Sequence, residues 1–289
     1  MAQSPTLLSF GHGYSARALT PRLLKAGWRV IGTTRKPEKA DALRAEGVEP
    51  LIWPGSDLTD ALDQASHLLI SAGPSEDGDP VLNVLRDAIT ARAGQFTWVG
   101  YLSTTGVYGN HDGGWVDEDT PNAPSTRRGQ FRVDAEHAWQ SIRGLPLHIF
   151  RLAGIYGPGR GPFAKVRAGT ARRIIKPNQV FSRIHVEDIA QVLWASIKAP
   201  NPGRVYNVND DEAAPPQDVI AHAAELLGLP LPEAITFEDA EMTPMARSFY
   251  AESKRTSNRR IREELGVDLK YPTYREGLQA LLEHEQQAE

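Results

Sequence analysis

Thr6-Leu7-Leu8-Ser9-Phe10-Gly11-His12-Gly13-Tyr14-Ser15-Ala16 is the stretch that decides how this 289-residue chain folds. An apolar, strand-like run enters two closely spaced glycines and leaves into a helix-like segment that reaches Ala26. In that order Gly11 allows a tight turn and Gly13 lets the backbone approach a pyrophosphate. Ala16 is small enough for helix and strand to pack closely, with the helix N-terminus facing the phosphates. Tyr14 and Ser15 fall in the same loop and first helical turn. A second strand, Arg29 to Thr34, follows at βαβ distance, so the pattern predicts a dinucleotide-binding unit rather than an ordinary glycine turn.

Outward from this unit, strand-like and helix-like segments alternate through the first half of the chain. Candidate strands are Leu7 to Phe10, Arg29 to Thr34, Glu49 to Trp53, His67 to Ser71, Phe96 to Leu102 and Leu147 to Leu152. Val81 to Ala93 carries a one-sided apolar stripe at helical spacing. This is the pattern of a Rossmann-type α/β fold, a doubly wound parallel sheet covered by helices on both faces. After Leu152 the alternation loosens, although Val186 to Ile197 reads as a helix and Arg204 to Val208 as a late strand. Pro215-Pro216, Pro230, Pro232 and Pro244 then divide short segments, with Ser253 to Leu265 and Thr273 to Glu283 as closing amphipathic helices. The expected division is a dinucleotide-binding domain over 1–160 plus about 178–210. A smaller C-terminal substrate-binding lobe takes about 161–177 plus 211–289.

Bulk composition narrows the function. A net charge of −4 and the absence of a basic tail give no general attraction to nucleic acid or to an anionic membrane surface. The chain has no cysteine, which excludes disulfides, thiolate metal sites and a cysteine nucleophile. Met1 to Pro5 lacks a charged leader and no apolar run approaches membrane-spanning length, so a cytoplasmic protein is expected. No His/Asp/Glu cluster has metal-ligand spacing, and neither G-x-S-x-G nor H-E-x-x-H occurs, so no metal is expected.

The end of the second strand bears on the cofactor. Sites for NAD commonly place an acidic residue there to grip the ribose hydroxyls, whereas NADP sites accommodate the extra phosphate with basic residues. This chain reads Thr33-Thr34-Arg35-Lys36. Arg35 is placed for a 2′-phosphate, with Lys36 and a hydroxyl of Thr33 or Thr34 in support, which favours NADP(H) over NAD(H). The bland alternative is a solvated pair of charges at a strand end. Arg17 is a further phosphate candidate or a surface residue. Ser71-Ala72-Gly73, past the fourth strand, offers small residues where the nucleotide must pass close to backbone, and Asp57 either meets the adenine edge or caps a helix.

From Tyr101 onward the sequence resembles the extended short-chain dehydrogenases/reductases, the NAD-dependent epimerase/dehydratase family, over nearly the whole chain. Ser103-Thr104-Thr105-Gly106-Val107-Tyr108-Gly109 is similar to that family's S-[ST]-x-x-V-Y-G segment. Arg151 to Gly159 is similar to its R-x-x-x-I-Y-G-P-G segment, and Ile184 to Ala190 to its I-H-V-x-D-x-A. The glycine motif departs at both ends, with Phe10 where the family has its first glycine and Ala16 where it has its last.

The family usually carries Y-x-x-x-K on the following helix, the tyrosine exchanging a proton with the substrate oxygen and the lysine binding ribose. Here the segment reads Arg127-Arg128-Gly129-Gln130-Phe131-Arg132-Val133-Asp134-Ala135-Glu136. Taking Glu136 as the helix glutamate that follows the motif puts Arg128 at the tyrosine position and Arg132 at the lysine position. Arginine is too basic to exchange protons near neutral pH. Arg132 can still hold the nicotinamide ribose, and Arg128 can bind a carboxylate or phosphate, although either can instead lie on a solvated helix face. Thr104 matches the family's active-site hydroxyl. Tyr108, Tyr156 and His111 are candidate donors by residue type, although the tyrosines read first as rings packing the cleft wall and His111 as an exposed loop residue, while His185 and Asp188 read as architectural.

The expectation is an NADP-dependent oxidoreductase or epimerase/dehydratase-like protein with Thr104, Tyr108, Arg128 and Arg132 at its active site. The alternative is a catalytically degenerate NAD(P)-binding protein, a redox sensor or ligand-binding module. The partner is a small molecule, anionic if Arg128 binds it. A homodimer through Val81 to Ala93 and Arg128 to Ile142 is what the resemblance implies. Arg247, Lys254 and Arg255 either bind a charged substrate or lie at the surface.

Overall fold

The computed structural model describes residues 4–288; Met1 to Gln3, part of the stretch read as lacking a leader, and Glu289 lie outside them. Seven strands form one sheet: β1 (Thr6–Phe10), β2 (Arg29–Thr34), β3 (Glu49–Ile52), β4 (His67–Ile70), β5 (Trp98–Thr104), β6 (Leu147–Leu152) and β7 (Val205–Val208). Their order is β7-β6-β5-β4-β1-β2-β3, and every pair is parallel. β1 and β4 are buried at every position, Thr6, Ser9 and His67 included, as parallel strands are when both sheet faces are covered.

Strand alternation sorts side chains onto two cores. Leu7, Leu69, Trp98 and Phe150 pack with α1 (Tyr14–Lys25) and with Val186–Lys198, the helix after the I-H-V segment. Leu8, Phe10, Leu68, Val99 and Tyr101 pack on the other face with α2 (Leu82–Ala91) and α3 (Arg127–Gln140). The chain leaves β1 toward β2 on one side and returns to β4 on the other. That reversal opens a crevice beyond the carboxyl ends of β1 and β4, the place where open α/β sheets bind ligands.

A third apolar cluster lies past β6 and includes Tyr156, Phe163, Val166, Ala223, Tyr274 and Leu278. Three short parallel strand pairs serve this region: Gly154–Tyr156 with Arg183–His185, Arg173–Ile175 with Ala234–Thr236, and Trp115–Val116 with Arg255–Thr256. His185 caps the helix Val186–Lys198 by accepting the Glu187 N–H at 3.2 Å. The Asp188 carboxylate accepts the N–H groups of Lys270 and Tyr271 at 2.8 and 3.1 Å.

One expected helix is shorter than its periodicity suggested. Ser253 to Thr256 is extended, and the helix covers only Arg259–Leu265. Long-range hydrogen bonds override local preference there. The Ser253 N–H donates to Asn110 Oδ1 at 2.8 Å, and the Arg255 N–H to the Gly114 carbonyl at 2.8 Å. Among the described residues no helix is long and apolar enough to cross a membrane.

Candidate functional site

Gly11 adopts φ +72°, and a Cβ there would stand 3.0 Å from the Ala72 nitrogen, so the β1–α1 turn rests directly on the backbone that follows β4. Thr33 fixes this turn. Its hydroxyl accepts the Gly11 N–H at 2.8 Å and its carbonyl the His12 N–H at 2.9 Å, and Thr33 itself is buried in the turn. Helix α1 then begins after Gly13 with no side chain capping it, which leaves its first-turn N–H groups for an anion. Ser15 and Ala16 are buried, Ala16 in the same core as Leu7. The His12 ring packs on Gly32, and burial pulls its pKa down to about 4, so it is a neutral packing residue at pH 7.

Arg35 and Lys36 are exposed just past β2. Lys36 stands 3.8 Å from Glu38 and its N–H donates to Thr34 Oγ1 at 3.2 Å; Arg35 has no carboxylate partner among the described residues. Arg17 is different. Its Nε donates to Glu46 Oε2 at 2.8 Å, which turns it away from a phosphate role. Asp57 accepts both the N–H and the hydroxyl of Thr59, at 2.9 and 2.7 Å, and so caps the turn into the helix Thr59–Gln64.

Beyond β4 and β5 the crevice widens into a cleft of about 1050 Å³. Thr104, Arg128 and Arg132 line it on the sheet side, and Arg160, Arg183 and Lys254 on the lobe side. Arg132 is fixed: one Nη donates to the Leu102 carbonyl at 2.8 Å and to Tyr101 Oη at 3.3 Å, and the other would lie 3.2 Å from a Cβ on Gly73. A side chain at position 73 would crowd that guanidinium, which lies close to the backbone after β4. Thr104 ends β5 and accepts the Gly106 N–H at 3.2 Å, which orients its oxygen and leaves its proton for another acceptor. Arg128 is exposed in the first turn of α3, a turn with no acidic residue, and pairs with no carboxylate among the described residues.

Tyr108 is not in the cleft, which corrects its expected place at the active site. Its ring is fully buried, its hydroxyl donates to Asn207 Oδ1 at 2.7 Å, and Arg151 Nη1 donates to it at 2.9 Å. Arg151 in turn pairs with Glu136 at 2.8 Å, and Ser103 donates to the same carboxylate at 2.5 Å. Burial pushes the Tyr108 hydroxyl up to about 12. Tyr156 does line the cleft, yet burial holds its hydroxyl well above the usual phenol range, and it points to the Thr273 carbonyl at 3.4 Å. His111 joins a turn through the Tyr108 carbonyl at 3.1 Å.

Sequence reasoning undervalued the lobe side. Lys254 is buried, donating to the Gly109 carbonyl at 2.7 Å and to Glu252 at 2.6 Å. Arg183 donates to the Phe181 and Ala214 carbonyls at 2.8 and 3.0 Å. Nearby Asp210 is buried with no hydrogen-bond partner for either oxygen, and burial raises its pKa to about 8 despite Arg183. The proline-divided sequence carries no signal for the long-range contacts among these, Arg183 to Ala214 and Lys254 to Gly109, which join residues 31 and 145 positions apart. The crevice itself fits a dinucleotide: an uncapped helix start, a glycine turn seated on Ala72, and a fixed guanidinium against Gly73.

These features define a Rossmann-type protein with the fold of the epimerases and dehydratases. A UDP-glucuronic acid 4-epimerase from Bacillus cereus, solved in complex with NAD, superposes with a TM-score of 0.77 at 17% identity, covering 98% of this chain and 99% of that one. A conserved protein of unknown function from Silicibacter pomeroyi DSS superposes with a TM-score of 0.95 at 65% identity, covering 97% and 99%. No protein-family model matches the sequence. Protein YeeZ of Escherichia coli strain K12 is 30% identical over 274 residues, 91% of this chain and 94% of YeeZ. The chain belongs to the family of YeeZ.

Proposed function

We propose that this protein is an NADP(H)-dependent oxidoreductase or epimerase/dehydratase-like enzyme that acts on an anionic small molecule without a Tyr-x-x-x-Lys pair. The observation that carries the reading is Arg132, a guanidinium held by Leu102 and Tyr101 against Gly73 at the mouth of the switch-point crevice. It suits the nicotinamide ribose, the place the family gives to lysine. A nicotinamide bound there supplies or accepts a hydride. Arg35, with Lys36 and Thr34 beside it, suits a 2′-phosphate, and no acidic residue at the end of β2 grips ribose hydroxyls.

Thr104 donates a hydrogen bond to the substrate carbonyl oxygen and polarises it for hydride attack, and the alkoxide left by hydride addition takes its proton from water. Arg128 cannot replace a tyrosine acid, because guanidinium stays protonated. It binds the substrate's acid group instead, opposite Arg183 on the lobe wall. A second reading, a binding module that holds the dinucleotide without turnover, is favoured by one observation: the Tyr108 hydroxyl is committed to Arg151 and Asn207.

The two readings part on hydride transfer. We expect NADPH to be consumed with some members of a panel of 2-oxo acids and phosphorylated aldehydes, and Thr104→Val to lower kcat by about 10-fold or more, the loss of one charge-stabilising donor. Nucleotide binding with no hydride exchange on any member would select the binding module.

A further inference from the structure

We propose that Arg160 grips the pyrophosphate of the dinucleotide from the lobe side of the cleft, so that cofactor binding is tied to the strap 157–161. This inference rests on the dinucleotide reading above and adds a contact that neither the glycine motif nor the end of β2 contains.

The strap is seated on the glycine turn itself. Tyr14, the first residue of α1, donates its hydroxyl to the Pro158 carbonyl at 3.0 Å. Gly157 adopts φ +148°, and a Cβ there would stand 2.6 Å from Tyr14 Oη, so only glycine lets strap and ring meet. Gly157 and Arg160 close the strap by exchanging backbone hydrogen bonds at 3.1 and 2.8 Å. The result is that the Arg160 guanidinium lies 4.8 Å above the Tyr14 ring centroid, and Arg160 also lines the cleft.

The charge there lacks an answer within the protein. Arg160 is exposed and pairs with no carboxylate among the described residues. The ring quadrupole holds a cation in place without neutralising it. Beneath it, the start of α1 carries the positive end of the helix dipole and has no side-chain cap. Both features attract an anion, and the phosphates expected at the glycine turn supply it. The guanidinium fork matches phosphate oxygens, which a lysine there would meet only as a point charge.

The test is calorimetric titration of the full chain with NADP⁺ and with NAD⁺, comparing wild type, Arg160→Gln and Arg160→Lys. Arg160→Gln should weaken both nucleotides by the same factor, about 10- to 100-fold, because both carry the pyrophosphate and one charge-assisted contact is lost. Arg160→Lys should recover part of the loss. Thermal unfolding without nucleotide should be unchanged in both variants, which separates lost binding from lost folding. Wild-type affinity for both nucleotides in Arg160→Gln overturns the inference alone. A loss confined to NADP⁺ also overturns it, since the guanidinium would then serve the 2′-phosphate. Wild-type protein that binds neither nucleotide overturns the dinucleotide reading and this contact with it.

Discussion

The two walls of the cleft are built differently. On the sheet wall, Thr104 and Arg132 sit at the end of β5 and on α3, and the layer beneath them is locked. Glu136 receives Ser103 and Arg151, Arg151 reaches Tyr108, and Tyr108 reaches Asn207, all of them buried. On the lobe wall, Arg160, Arg183 and Lys254 sit on short segments joined by contacts distant in sequence, and Phe249 is exposed at 58%. The sheet wall is held in one arrangement by buried hydrogen bonds, while the lobe wall presents cations on short segments. A fold shared with proteins of other specificities thus fixes where the site lies and leaves the shape of the ligand pocket to the lobe.

Acidification should break this comparison most visibly. Burial pulls His12, His67, His148 and His185 down to about 4 from an unfolded value of 6.5. His12, His67 and His148 belong to the seven-stranded sheet or its β1–α1 turn, and His185 to the short strand Arg183–His185 beside the lobe. A group depressed in the folded state contributes stability that is complete above pH 6.5 and is lost as pH falls through about 4. Each histidine therefore contributes a slope of up to about 1.4 kcal/mol per pH unit in that window. Asp210, raised to about 8 from 3.8, works the other way, since its contribution is lost as pH rises. Burial raises the carboxyls of Glu118 and Asp188 in the same sense as Asp210, and the four histidines outweigh them, so urea midpoints fall between pH 6.5 and 4.5, and fall more steeply in Asp210→Asn. A flat profile would mean that the histidines are hydrated in solution.

Removing the lock under the sheet wall comes next in size. Glu136→Gln leaves the Arg151 guanidinium buried without its counter-charge and should cost about 3–5 kcal/mol in denaturant unfolding. A cost below about 1 kcal/mol would show that the network is not what orders the wall. The smallest effect has the opposite sign. Arg128 places a cation where the α3 dipole is already positive, so Arg128→Gln should stabilise by about 0.3–1 kcal/mol while weakening the substrate's acid group. Stability gained with substrate affinity unchanged would assign Arg128 to the surface.

How much of this was legible in the sequence follows the same division. β2 and β6 run over the residues that periodicity gave them, and the Gly11 turn sits where the spacing put it. Those signals are local, a buried strand feeding a glycine turn and a helix. Tyr108 was misplaced because its partner Asn207 is 99 residues away, and a V-Y-G segment reads the same whether its ring faces ligand or core. The segment from Ser253 read as helical because periodicity cannot register the pull of Asn110, Gly109 and Gly114. Arg17 could not be told from Arg35 without knowing that Glu46 lies within reach of the first.

The ratio of NAD⁺ to NADP⁺ dissociation constants, taken by calorimetry for wild type and for Arg35→Ala, decides whether Arg35 reads a 2′-phosphate. Wild type should bind NADP⁺ more tightly, with the ratio falling about 10-fold in Arg35→Ala as a single charge-assisted contact to the 2′-phosphate is lost. An Arg35→Ala ratio equal to wild type, or a wild-type preference for NAD⁺, would contradict that role for Arg35.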